Sequence, residues 1–129
     1  MKISKLVPAL AGAAIIALTL PGVSLADADT AKAKAAQHAG LAAGSGDIAM
    51  VKRHLHHTLN CLVGADGDGF DESAGNPCAP DGGAIPQTAN GEMKMKLEGI
   101  AAEVRDGVMG DDLASVQALA GSVQEMLAD

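Results

Sequence analysis

Residues 48–63 read Ile48-Ala49-Met50-Val51-Lys52-Arg53-His54-Leu55-His56-His57-Thr58-Leu59-Asn60-Cys61-Leu62-Val63. Ile48, Val51, Leu55, Leu59 and Leu62 recur at spacings of three and four, the apolar stripe of an amphipathic helix. Asp47 stands at the N-cap position, and Gly64 stands where such a helix ends. This segment sets the fold class, because its neighbours repeat the pattern.

Before it, Thr30 to Ala43 is rich in alanine, the best helix former, with Asp29 or Thr30 as its cap. Gly44-Ser45-Gly46 is a short break. After it, residues 64–89 are dominated by Gly, Pro, Asp, Asn and Ser and carry no periodicity, so they read as a loop. Met93, Leu97, Ile100, Val104 and Val108 mark a third helix over 90–108. Gly110 and Asp111 make a turn and cap, and Leu113, Val116, Ala120, Val123 and Leu127 mark a fourth helix over 111–127. The period-two alternation of strands is missing. Short connections within each pair predict an all-α four-helix bundle of two antiparallel helical hairpins, joined by one long loop.

A loop of that length needs something to tie it down. Cys61 and Cys78 are the only cysteines. A disulfide between them would close about 16 residues and contribute roughly 3 kcal/mol through chain entropy. Two free thiolates acting as soft metal ligands are the rival reading. Neither C-x-x-C nor C-x-x-C-H occurs, which argues against thioredoxin-like chemistry and covalent haem.

The choice between disulfide and thiols depends on the N-terminal end. Lys2 and Lys5 precede an almost wholly apolar run from Leu6 to Leu20, and Pro21-Gly22 and Ser24-Leu25-Ala26 follow. These are the three parts of a cleavable export signal, and the run is short of the roughly 20 residues of a spanning helix. We therefore expect residues 1–26 to be removed and 27–129 to form a single periplasmic or secreted domain, with no membrane span left. In such a compartment an isolated cysteine pair is ordinarily oxidised.

Acidic residues begin only at Asp27, and the whole chain has a formal charge of −7. That charge repels phosphate backbones, which speaks against nucleic acid and anionic membrane surfaces as partners. Phe70 is the only aromatic residue, so the core must come from aliphatic side chains and many alanines.

Three of the four histidines fall between residues 54 and 57, and the fourth is His38. With Ile48 at zero and about 100° per residue, the core face spans roughly 280° through 60°. Met50, His54, His57 and Cys61 then lie near roughly 200°, 240°, 180° and 220°, one stripe beside that face, while His56 points elsewhere. His38 shares a face of the first helix with Ala31, Ala35, Leu41 and Ala42 and can meet the second helix. A transition-metal site of His38, His54 and His57 with Met50 nearby is expected to suit copper or zinc. The ordinary alternative is that such histidines hydrogen-bond or face water, and no H-E-x-x-H motif accompanies them. Non-covalent haem ranks below bare metal, because one aromatic cannot pack a porphyrin.

Asp66-Gly67-Asp68-Gly69 resembles part of a calcium loop, but aligning Gly69 with the invariant glycine puts Gly64 and Gly75 at the first and last ligand positions. Calcium is accordingly disfavoured. Phe70, set among turn residues, is read as an anchor on the bundle or as a contact for a partner. No nucleophile, paired-carboxylate or phosphate-cradling motif appears, so we expect no enzyme. The expected function is metal binding for buffering, delivery or sensing; the alternative is an ion-free interaction module whose disulfide-closed loop meets an envelope protein.

Overall fold

The computed structural model describes residues 26–129; the leader read in residues 1–26 lies, but for its last residue, outside them. The described chain is all-helical, with five helices and no strand among the described residues. They are α1 (Ala26–Gly44), α2 (Ile48–Val63), α3 (Ala84–Gln87), α4 (Gly91–Met109) and α5 (Leu113–Ala128).

The helices α2, α4 and α5 each start where side-chain chemistry satisfies the first amides. Asp47 accepts from the Met50 N–H at 3.0 Å, Asn90 from Met93 at 3.0 Å, and Asp112 from Ser115 at 2.8 Å. The last of these displaces the expected cap by one residue. Asp111 reaches instead for Lys52 at 3.3 Å. The first helix also opens earlier than Thr30, at Ala26. Alanine's helix propensity, with Asp29 complementing the helix dipole, carries the first turn without a cap at Thr30.

Ala31, Ala35, Ala39 and Ala42 form a fully buried stripe along α1. Side chains this small let α1 lie close against both α2 and α5, its two main neighbours. Across from it, α4 packs on the same two helices. Leu55, Leu59 and Leu62 of α2 meet Leu97 and Val104 of α4 and Val123 and Leu127 of α5 in one core. Thr58 is buried between α1 and α2, its hydroxyl placed 3.2 Å from the Ala35 carbonyl and 3.1 Å from that of His54. This contact sets the register of the two helices that carry the histidines. No helix among the described residues is long and apolar enough to cross a membrane.

The segment between α2 and α4 is not featureless. It holds a 3-10 turn at Glu72–Ala74 and the single turn α3, which packs against α1. Neither has enough length to show periodicity in sequence. The Cys61–Cys78 disulfide is formed, with both residues fully buried. Lys34 pairs with Asp81, and Arg105 donates to the Asp68 carbonyl at 3.0 Å. Where the segment returns past the end of α2, Gly64 (φ +74) and Gly83 touch backbone to backbone. A Cβ on Gly83 would sit 2.5 Å from the Gly64 nitrogen, so only glycine permits the crossing. Phe70 lies half-buried against the core.

Candidate metal centre

His38 comes from α1, and His54 and His57 come from α2. On α2 the two stand three residues apart, so both project from one side of the helix. The Thr58 contact brings Ala35 to the same level, and His38 follows Ala35 by one turn of α1. The three imidazoles converge. Each offers one ring nitrogen, and these atoms lie within 4.8 Å of one another. Ring centroids are 5.6 Å apart for His38 and His54, 4.8 Å for His38 and His57, and 5.7 Å for His54 and His57. The Nδ1 atoms of His38 and His54 face each other at 3.3 Å. This cluster could hold a metal ion, and among the described residues it is the one such group of His, Cys, Asp or Glu.

His57 shows the chemistry most clearly. Its Nε2 lies 2.7 Å from the carbonyl oxygen of Ala74. A carbonyl only accepts, so Nε2 carries a proton, and the tautomer this selects has its lone pair on Nδ1. That Nδ1 is buried and has no hydrogen-bond partner. Metal-bound histidines share this arrangement: the outer nitrogen donates to a carbonyl, which fixes the tautomer and turns the other nitrogen towards the ion.

The turn that presents the Ala74 carbonyl is held by Asn60, which is fully buried. Its side-chain amide donates to the carbonyls of Asp71 and Gly75, both at 2.8 Å, and its oxygen accepts from the Asp71 N–H at 2.9 Å. Gly75, at φ +90, supplies the left-handed turn directly after Ala74. Thus α2 carries His57 and, three residues on, the clamp for the turn whose carbonyl orients it.

Burial makes His38 and His54 poor bases. It pushes the His38 imidazole down from 6.5 to about 4, with the neighbouring His57 and His54 adding to the effect. His54 is lowered by burial first, then by His57 and Arg53. Both rings are therefore neutral at pH 7 and keep a lone pair to donate. The shifts fix the sign of a pH dependence: below about 6.5 the unfolded chain takes up protons that the folded metal-free protein refuses. Stability is expected to be full above pH 6.5 and to fall progressively towards pH 4. Thermal melts in chelator across that range check this, and His38→Gln should flatten the dependence.

The remaining sequence candidates are placed as follows. Met50, one turn before His54, is 44% exposed at the surface of α2. Cys61 is taken by the disulfide and offers no thiolate. His56 turns towards Asp71, Nδ1 to Oδ2 at 3.8 Å, away from the cluster. Asp68 of the glycine-rich turn lies beside Arg105 at 3.7 Å. The Ala74 carbonyl and the hydroxyl of Thr58 were not signalled by sequence; a main-chain oxygen has no residue type to announce it. No family model, curated protein or solved structure matches the chain, and the site itself carries the functional reading.

Proposed function

We propose that this is an exported, non-catalytic domain of the periplasm or extracellular space that binds copper or zinc through His38, His54 and His57, for buffering, delivery or sensing. One observation carries the reading: three imidazoles from two helices meet, and one is oriented by a main-chain carbonyl with its inner nitrogen unpartnered. An oxidised, buried cysteine pair agrees with a compartment outside the cytoplasm. The ring of contacts α1–α2–α4–α5 is what an up-and-down bundle of two antiparallel hairpins would make. Metal sites in such bundles are built from facing helices in this way.

The test is metal titration of untagged protein by calorimetry, with elemental analysis of the same protein isolated from the periplasm. One ion per chain is expected. His54→Ala/His57→Ala should lower affinity by more than the roughly 10–100-fold that loss of an outer-shell partner costs. Unchanged affinity and stoichiometry in that variant would remove the metal reading. The ion-free interaction module, using the loop around Phe70, would then be the reading to pursue.

A further inference from the structure

The arrangement of the three rings narrows the ion and the job. A metal–nitrogen bond of about 2.05 Å and a ring radius of about 1.15 Å put each ring centroid about 3.2 Å from a shared ion. Tetrahedral ligation then spaces the centroids by about 5.2 Å, and trigonal ligation by about 5.5 Å. A square plane requires two spacings near about 4.5 Å and one near about 6.4 Å, because one pair must lie trans. The observed spacings are 4.8, 5.6 and 5.7 Å, with no long pair. The 3.3 Å between the Nδ1 atoms of His38 and His54 also matches the tetrahedral edge of about 3.3 Å.

Resting on the metal reading above, we infer that the site is a three-nitrogen cap for a d10 ion, Zn(II) or Cu(I), whose fourth ligand is an exchangeable small donor from solution. No carboxylate or thiolate of the described residues joins the three imidazoles. None of the three histidines is fully buried, so a small anion or a donor side chain of another molecule can reach the ion. A closed structural site would surround the ion with four protein ligands; three with an accessible fourth suit exchange. Met50 is the one internal candidate for that position. It sits one turn from His54, but its side chain lies out at the surface.

Cobalt(II), which reports coordination geometry in zinc sites, is the probe. The full chain with its disulfide intact is titrated with cobalt, and azide is then added. The expected result is the intense visible spectrum of four-coordinate cobalt, with bands that shift as azide replaces the solvent ligand. Met50→Leu should shift in the same way. Weak, six-coordinate bands would overturn the geometry while leaving the metal reading intact. Intense bands that ignore azide would overturn the exchangeable position, and a response regained in Met50→Leu would identify Met50 as the fourth ligand. Failure of cobalt, zinc and Cu(I) to bind at all would remove the metal reading together with this inference.

Discussion

Asn60→Ala is expected to lower the stability of the metal-free protein by about 3–4 kcal/mol, among the largest effects of any single substitution here. The side chain is fully buried and makes three hydrogen bonds to the main chain of residues 71–75. Alanine leaves the Asp71 N–H and the Asp71 and Gly75 carbonyls without those partners. For a domain of this size that is roughly 15 °C or more in Tm, readable by circular dichroism in chelator. Asn60→Asp should be no better, since a carboxylate keeps the acceptor but turns negative oxygens on two carbonyls. The same change releases the Ala74 carbonyl and with it the orientation of His57. Metal affinity, measured at a temperature where the variant remains folded, should fall about 10–100-fold. A variant that loses stability but binds metal as before would separate the clamp from the site.

The second large effect comes from Cys61→Ala/Cys78→Ala. The bridge spans a sequence separation of 17, and its removal frees the unfolded chain by roughly 3 kcal/mol. Tm should drop by about 12–20 °C. Here the metal site should respond differently. A disulfide acts chiefly on the unfolded state, and in the folded protein Asn60 still grips the residues on either side of the Ala74 carbonyl. Affinity of the folded double variant is therefore expected to stay within a few-fold of the parent. The two variants thus share a stability loss and part company on metal. Equal affinity losses in both would mean that the loop is held as one unit and that no special role belongs to Asn60.

Much of this was legible in the residues, and for local reasons. The stripe from Ile48 to Leu62 and the cap at Asp47 are short-range features, and α2 has the bounds that they predict. The disulfide followed from two cysteines and an irregular loop that needed fastening. The histidines were legible in part: helical spacing puts His54 and His57 on one side, and the face shared with Ala31 and Ala35 turns His38 inward. What failed was equally physical. Residues 26–29 extend α1 because alanine, with Asp29 early in the helix, suits a first turn even without a cap at Thr30. The single turn α3 has too few residues to show a period, and its place depends on a glycine contact across the chain.

Sequence by itself determined that the chain is helical, where α2 lies, and which nitrogens could be offered, because helix propensity, capping and 3.6-residue periodicity act within a few residues. Only the tertiary structure decided that these nitrogens meet. The distance between His38 and the pair on α2 depends on how closely an alanine stripe lets two helices approach, and on the register set by Thr58. The tautomer of His57 depends on a carbonyl 17 positions further along the chain, brought into place by Asn60. A stretch such as 48–63 states its own period; it cannot state which main-chain oxygen the fold will lay against its histidine.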